Sequence, residues 1–336
     1  MSDSYGAFAV HIASWAPLTA LAASLFIVWW LATGRFSAAI LDRPKSRSLH
    51  EVPVPRTGGL GVHAGALLAL GVISPALPAA LWIAFAIMLL ISFLDDIRGV
   101  APAWRLLVHI GACALFAATV LGSYGPLVIV AAALLCAWMA NLYNFMDGSD
   151  GLAGGMAVAG FSFYGAAACL SGNVEFALVN FSIAAAALGF LVFNFHPARI
   201  FLGDVGSVPL GFLSAALGIL GWLQRDWSWW YPALVFGPFI VDASVTLARR
   251  LLRLEKIWQA HRDHYYQRLV RMGWGHRKTA LVEYVAMVAS GAAALLGLML
   301  PATGQSAMLA AMALAYFSLI VLIELRWQRY QALNRS

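Results

Sequence analysis

Long apolar runs constrain this chain more than any other feature of its sequence. Apolar residues make up 62% of the 336 residues and charged residues only 11%, and the mean hydropathy is +0.80. A run of about 18 or more such residues is long enough to cross a lipid bilayer as an α-helix. The sequence therefore predicts an all-α, polytopic integral membrane protein with about 10 to 11 transmembrane helices.

Residues 1–336 are predicted to form a single membrane-embedded domain. The first apolar run has neither a preceding basic stretch nor a small-residue cleavage site, so we expect a retained helix rather than a signal peptide. The candidate spans are 15–34, 59–74, 78–94, 105–122, 126–143, 152–171, 176–193, 206–223, 230–249, 279–299 and 305–325.

The basic residues are distributed very unevenly between the predicted loops. Of the 21 Lys and Arg, only Arg225 falls on one side of the membrane, and the others lie on or beside loops of the opposite side. Such an excess marks the cytoplasmic side. We therefore expect the N-terminus outside, the C-terminus in the cytoplasm, and larger cytoplasmic loops at 35–58 and 250–278. The net charge of +6 then reflects topology, and no nucleic-acid partner is expected.

The carboxylates are informative because an acidic side chain near lipid is costly. Asp95 and Asp96 end the third span in FLDDIRGV. Asp147 and Asp150 follow the fifth span in NLYNFMDGSDGLAGG, and Asp204 precedes the eighth in FLGDVGS. Each segment alone could be a solvated helix end, a turn or a helix cap. All five fall on the predicted cytoplasmic side, which favours one site, and such oxygen ligands suit Mg²⁺ bound together with substrate phosphates.

Two basic loops lie on the same predicted side. In HRDHYYQRLVRMGWGHRK, His261, Arg262 and His264 lie close enough along the chain to bind one anion together. The Pro- and Gly-rich segment 43–62 could order three more basic residues nearby: Arg47, His50 and Arg56.

In this order, these motifs resemble the polyprenyl-phosphate N-acetylhexosamine-1-phosphate transferase family (glycosyltransferase family 4), which includes phospho-MurNAc-pentapeptide translocase. The resemblance covers nearly the whole chain, through SLHEVPVPRTGGLGV, FLDDIRGV, NLYNFMDGSDGLAGG, NFHPARIFLGDVGS and HRDHYYQRL. It implies an enzyme that moves a sugar-1-phosphate from a UDP-sugar onto undecaprenyl or another polyprenyl phosphate and releases UMP. The implied location is the bacterial inner membrane, among membrane lipid, with the active site facing the cytoplasm. The resemblance further implies Mg²⁺ as cofactor, with Mn²⁺ as a substitute, and a homodimer.

Carried over residue by residue, the resemblance also implies site roles. The catalytic residues would be Asp95, Asp96 and Asp204, with Asp95 orienting or deprotonating the lipid phosphate. The metal ligands would be Asp204, Asn144 and Asp96. The substrate-binding residues would be Asn144, Asp147, Asp150 and Asn194, and the two basic loops described above add His261, Arg262, His264 and Arg56. Arg98 and Arg105 could hold phosphates or could simply mark the cytoplasmic end of a helix.

One departure from the family bears on the substrate. The translocase branch carries three consecutive histidines in its last large loop, whereas this chain has HRDHYYQRL. That loop resembles branches that initiate O-antigen or another surface polysaccharide and use UDP-N-acetylglucosamine, or a relative such as N-acetylfucosamine or N-acetylquinovosamine. A peptidoglycan precursor is therefore disfavoured, and the hexosamine stays open.

Other functions remain as alternatives from the sequence. A polyprenyl-phosphate or nucleotide-sugar transporter could use Asp242, which lies within the ninth span, although a structural hydrogen-bonding role is favoured for this residue. A catalytically inactive scaffold is disfavoured by the complete set of acidic residues. For an enzyme, a covalent aspartyl intermediate competes with direct transfer.

Overall fold

The computed structural model describes residues 13–34, 40–42, 53–256 and 261–334. Arg47 and His50, expected near the site, lie outside these ranges. Within them the chain is almost entirely helical, which confirms the all-α prediction. In chain order the elements are α1 (Ala16–Thr33), β1 (Leu41–Asp42), β2 (Val54–Pro55), α2 (Gly58–Ile73), α3 (Ala79–Arg98), α4 (Pro102–Val120), α5 (Pro126–Phe145), α6 (Leu152–Ser171), α7 (Val174–Asn194), α8 (Asp204–Leu223), α9 (Tyr231–Val235), α10 (Gly237–Leu252), α11 (Tyr265–Leu269), α12 (Gly275–Gly297) and α13 (Ala302–Leu333).

Each predicted span corresponds to a helix, with one difference. The ninth span is two helices, α9 and α10, because the chain breaks at Phe236 and restarts with Pro238 in the first turn of α10. Proline lacks an N–H group and therefore suits a helix start better than a helix interior. Within the described ranges, nine helical segments are long and apolar enough to cross a bilayer, and α2 is a shorter apolar helix. The polytopic membrane fold is thus confirmed.

Helix α8 lies at the centre of the bundle and α13 at its edge. Most of α8 is buried, and its small residues let neighbouring backbones approach closely: a Cβ at Gly211 would lie 2.4 Å from the backbone oxygen of Met139 on α5. Helix α13 exposes most of its apolar side chains, as a lipid-facing helix does. Near its end, Glu324 accepts a hydrogen bond from Arg268 Nη1 at 2.7 Å and another from Arg249, which ties α13 to α10 and α11.

The residues after β2 bind the segment that precedes α8. The backbone N–H of Phe201 donates to the oxygen of Pro55 at 2.7 Å, and Gly58 donates back to Phe201 at 2.9 Å. A Cβ at Gly59 would lie 2.3 Å from the Cα of Gly206, so the two backbones can touch only because neither residue has a side chain. This contact brings the predicted loop around Arg56 against the start of α8.

Candidate active site

A cavity of about 880 Å³ opens among the loops at one end of the bundle. Its volume lies in the range of pockets that bind cofactor-sized or nucleotide-sized ligands, roughly 300–1,000 Å³. Arg262 does not line the cavity, and its proposed part in anion binding stays a prediction. The other predicted site residues all line it: Arg56, Asp95, Asp96, Asn144, Asp147, Asp150, Asn194, Asp204, His261 and His264.

Arg105, in the first turn of α4, lies between two of the predicted catalytic carboxylates. Its Nη1 atom donates to Asp204 Oδ2 at 2.7 Å and also to Asp95 Oδ2. The other oxygen of Asp95 accepts from the backbone of Val100 at 2.6 Å. The Asp204 side chain is the more exposed of the two, at 25% against 13% for Asp95. Asp95 at the end of α3 and Asp204 at the start of α8 therefore bind the same guanidinium group, that of Arg105. Arg98, by contrast, is exposed and does not line the cavity.

Asp96 binds backbone groups at the start of α8. Its carboxylate accepts from the N–H of Val205 at 2.8 Å and from the N–H of Asp204 at 3.3 Å. Arg56 Nε lies 3.6 Å from Asp96 Oδ1, and the same guanidinium donates to the backbone oxygen of Asp96. A carboxylate at a helix N-terminus satisfies unpaired N–H groups and is favoured by the helix dipole. Asp96 therefore positions Asp204, and its part as a metal ligand stays a prediction.

The oxygen atoms around Arg105 fit a hard divalent cation. Asn144 Nδ2 donates to Ser207 Oγ at 3.0 Å, which leaves the Asn144 carbonyl oxygen for another partner. In the described part of the chain, no three His, Cys, Asp or Glu side chains could hold a metal ion by themselves. Mg²⁺, however, usually takes only one or two carboxylates together with substrate phosphates and water. Asp204, Asp95 and Asn144 are such a donor set, and they converge on one guanidinium, which balances only one of the two negative charges.

Two histidines hold Asp150 on the other side of the cavity. His196 Nδ1 donates to Asp150 Oδ2 at 2.6 Å, and the backbone of Ala198 donates to the same oxygen at 3.1 Å. The ring of His276 stacks on that of His196, with centroids 5.4 Å apart, and its Nδ1 lies 2.9 Å from Ser149 Oγ. His196 and His276 are site residues that the sequence did not predict. The only signal was that His196 lies in the motif NFHPARI and His276 in the basic segment HRDHYYQRLVRMGWGHRK.

Asn194 and Asp147 complete the polar wall in different ways. Asn194 Oδ1 accepts from the N–H of Gly151 and its Nδ2 donates to the oxygen of Ile200, both at 2.9 Å, so this side chain joins two loops. Burial raises the pKa of Asp147 well above its ordinary range, and the charges of Asp204 and Asp96 raise it further. Asp147 therefore lies in the combined electric field of the other carboxylates that line the cavity.

The segment HRDH, residues 261–264, is called the HRDH loop below. It brings the imidazoles of His261 and His264 to the cavity, with ring centroids 4.9 Å apart. His261 Nδ1 accepts from the N–H of Asp263 at 3.3 Å, so the ring proton of a neutral His261 lies on Nε2. Burial, the largest cause, lowers the pKa of His261 to about 4. His264 Nδ1 lies 3.1 Å from Asp242 Oδ1. This contact confirms the structural hydrogen-bonding role expected for Asp242.

Beyond the carboxylates the cavity wall becomes apolar. On α4, Pro102, Leu106 and Ile110 lie about one turn apart and line the cavity, opposite Leu134 and Trp138 of α5. From residue 102 to residue 110 the helix rises by about 12 Å along its axis. The cavity therefore runs from charged loops to an apolar wall between two predicted membrane-spanning helices.

Comparisons with known proteins point to one family. Residues 78–222 match the family described as glycosyl transferase family 4. The chain is 30% identical, over 73% of its length and 74% of the relative's, to the "Probable undecaprenyl-phosphate N-acetylglucosaminyl 1-phosphate transferase" of Bacillus subtilis. It is 30% identical, over 80% of both lengths, to the "Decaprenyl-phosphate N-acetylglucosaminephosphotransferase" of Mycobacterium tuberculosis.

A shorter stretch matches a third relative more closely. Over 89 residues, 26% of this chain and 27% of the other, it is 48% identical to the "Phospho-N-acetylmuramoyl-pentapeptide-transferase" of Symbiobacterium thermophilum. All three relatives are named as transferases of an N-acetylated sugar and its phosphate, and they favour a transferase over the transporter alternative. From motifs, cavity and relatives together, this chain belongs to glycosyl transferase family 4, as a membrane-embedded enzyme that transfers a sugar phosphate to a polyprenyl phosphate.

Proposed function

We propose that the protein transfers an N-acetylhexosamine 1-phosphate from a UDP-sugar to undecaprenyl or another polyprenyl phosphate, releases UMP, and initiates a lipid-linked surface polysaccharide. One observation carries the proposal: a single cavity joins the carboxylates on Arg105 to an apolar wall between α4 and α5. A reaction between a water-soluble nucleotide and a membrane lipid needs both surfaces in one place.

The apolar wall suits the acceptor. The first isoprene units would lie against Leu106, Ile110 and Trp138, and the phosphate would then reach Arg105 at the polar end of the same wall. Burying such chains is favourable by about 25 cal/mol per Å² of apolar surface relative to water, although in lipid this gain is small. The wall therefore guides the lipid phosphate, and the charged groups hold it.

The chemistry is a substitution at phosphorus. An oxygen of the lipid phosphate forms a bond to the phosphorus that carries the sugar, the bond from that phosphorus to the UMP oxygen breaks, and UMP leaves with the electron pair. Both reactants are anions, so positioning and charge neutralisation provide most of the catalysis. Among the residues that the structure describes, Arg105 and Arg56 are the arginines that line the cavity, and Asp95 keeps Arg105 in place.

We propose Mg²⁺ as the cofactor, with Asp204 and Asn144 as protein ligands and Asp96 or Asp95 as helpers. When bound, the ion would neutralise charge on the diphosphate and polarise its phosphorus–oxygen bonds. Asp204 is the more accessible of the two carboxylates on Arg105 and is therefore favoured as the principal ligand.

The sugar is proposed at the level of an N-acetylhexosamine. The B. subtilis and M. tuberculosis relatives are both named for N-acetylglucosamine, which makes UDP-N-acetylglucosamine the first donor to test. N-acetylfucosamine and N-acetylquinovosamine donors follow, because the HRDHYYQRL loop resembles that of branches that use them. The basic loops support a cavity that faces the cytoplasm of a bacterial inner membrane.

One experiment tests reaction and orientation together. Inverted and sealed right-side-out membrane vesicles that contain the protein are given Mg²⁺, undecaprenyl phosphate and a panel of labelled UDP-N-acetylhexosamines. Labelled lipid and UMP should form in inverted vesicles only, because a sugar nucleotide does not cross a bilayer. Turnover with none of the donors would disprove the reaction. Equal turnover in intact right-side-out vesicles would disprove the orientation.

A further inference from the structure

Asp242 lies in α10, away from the carboxylates of the proposed reaction, and is 7% exposed. Its carboxylate accepts hydrogen bonds from the backbone N–H groups of Tyr265 and Tyr266, both at 2.9 Å, and from Thr246 Oγ1 at 3.2 Å. His264 Nδ1 lies 3.1 Å from the same Oδ1 atom that Tyr265 binds. One buried side chain therefore holds the start of α11 and the imidazole that precedes it.

The contact between Asp242 and His264 determines which ring nitrogen carries the proton. Both oxygens of Asp242 accept N–H groups, as an ionised carboxylate does, and an ionised carboxylate has no proton to donate, so His264 Nδ1 is the donor in this contact. The backbone N–H of Gln267 also faces the His264 side chain in a capping box, but it forms no full cap hydrogen bond with it. In a neutral ring, Nε2 is then the nitrogen left for a ligand, and His264 lines the cavity.

His261 has the opposite arrangement. Its Nδ1 accepts a hydrogen bond from the backbone, so its Nε2 carries the proton. The two rings thus offer the cavity one donor and one acceptor, although they are only three positions apart in the loop. In the described part of the chain, the rings and charged groups in contact with His264 are His261 and Tyr266 of its own segment, Phe145 of α5 and Asp242 of α10. Of these four, only Asp242 hydrogen-bonds a ring nitrogen of His264.

We propose that Asp242 is a positioning residue of the transfer reaction, which fixes His264 with its proton on Nδ1 and presents Nε2 to the donor substrate as a hydrogen-bond acceptor. The matching substrate group must donate, which a sugar hydroxyl or the N–H of an acetamido group does. The inference rests on the proposed function for the identity of that substrate, whereas the state of the ring can be measured without it.

Two substitutions of Asp242 separate positioning from simple helix capping. Asp242→Ala removes every acceptor. Asp242→Asn can keep a carbonyl oxygen at the Oδ1 position, where both His264 and Tyr265 bind, but it places an –NH2 group against the N–H of Tyr266 and so weakens the helix cap while keeping the partner of the ring. We expect Asp242→Ala to lower kcat/KM for the UDP-sugar by about 10- to 100-fold, the usual cost of losing an orienting partner. Asp242→Asn should recover activity to within about fivefold of the natural protein, because Nδ1 keeps its acceptor. Equal losses in both variants would overturn the proposal.

A double-mutant cycle then asks whether Asp242 acts through His264. In a His264→Ala background, Asp242→Ala should change kcat/KM by less than about twofold, because its partner is already gone. Fully additive losses would contradict the proposal. Asp226→Ala is the matched control: Asp226 is also 7% exposed and accepts from two side chains, but at the opposite end of the bundle. It should leave kcat/KM within about twofold.

The ring can also be observed directly. In ¹⁵N-histidine spectra of the detergent-solubilised protein, the signals missing from His264→Ala identify His264. They should show the Nδ1–H form in the natural protein and in Asp242→Asn, and a shift towards Nε2–H in Asp242→Ala. An Nε2–H ring in the natural protein would overturn the proposal even if Asp242→Ala fails to fold. If no UDP-sugar is turned over but the ring is Nδ1–H, the proposed substrate is wrong and the positioning remains.

Discussion

At each end of the bundle a carboxylate lies just before a helix or at its start, and the two carboxylates have different hydrogen-bond partners. At the end opposite the cavity, Asp226 accepts from Ser171 Oγ at 2.6 Å and from Asn173 Nδ2 at 2.9 Å, beside the buried ring of Trp227. At the cavity end, Asp204 meets Arg105 within a group of acidic side chains. One carboxylate closes a loop with neutral donors, whereas the other shares a single cation with Asp95.

This difference shows that the partners of a carboxylate decide whether it can bind a ligand. Uncharged groups donate hydrogen bonds to both oxygens of Asp226, so this carboxylate requires no bound cation. Among the described residues at the cavity end, carboxylates outnumber arginines, and the excess negative charge is costly unless a further cation binds. The cavity end is thus arranged for ligands, and the opposite end for stability.

The largest expected effect is at Asp204. Asp204→Asn should lower transfer by roughly 10²–10³-fold or more, because it removes the most accessible charge of the proposed cation site. Asp226→Asn should keep transfer within about twofold but lower the melting temperature by about 2–4 °C. Labelled-lipid formation and thermal unfolding in detergent measure the two effects. If Asp226→Asn lost as much transfer as Asp204→Asn, the contrast between the ends would be false.

A smaller effect is expected at Arg105. Lysine keeps the charge of Arg105 but has no planar fork to hold two carboxylates at once. Losing one charge-assisted hydrogen bond costs about 1.5–3 kcal/mol, so Arg105→Lys should lower kcat/KM by roughly 10- to 150-fold. Arg98→Lys, on the exposed end of α3, is the control and should stay within about twofold. Equal activity of the two variants would show that Arg105 serves only as a general positive charge.

The smallest effect concerns pH and His261. Its folded pKa of about 4 lies below the ordinary value of 6.5, so the unfolded chain binds more protons between these values. The folded state should therefore lose stability as pH falls from 6.5 towards 4. His261→Gln removes this loss, and its melting temperature should fall less on acidification, by about 2 °C. Thermal unfolding at pH 7 and pH 5 checks the prediction, and identical acid sensitivity would contradict it.

The helices were predictable because span length and apolarity depend on local sequence alone. The break between α9 and α10 was not predicted, although Pro238 stands there, since a proline within an apolar run is also tolerated in membrane helices. The acidic residues could be predicted to lie at one end of the bundle because, in a chain that crosses the membrane repeatedly, alternate loops lie on the same side.

Contacts between side chains of distant segments could not be predicted from the sequence. Arg105 and Asp204 are 99 residues apart, and nothing local marks them as partners. The contact of His196 with Asp150 and the proton position on His264 likewise depend on how loops pack against one another. The resemblance named the residues of the site, and the structure supplied their pairing.

The apolar wall between α4 and α5 also affects how the two substrates arrive. A nucleotide sugar reaches the charged end by diffusion in three dimensions, whereas a polyprenyl phosphate that moves along Leu106 and Ile110 arrives by diffusion in the plane of the membrane. Its effective concentration is then its mole fraction among lipids rather than its amount per volume of solution. The substrate from solution and the substrate from the membrane therefore meet in the cavity. The lipid-linked product can return to the bilayer without passing through water.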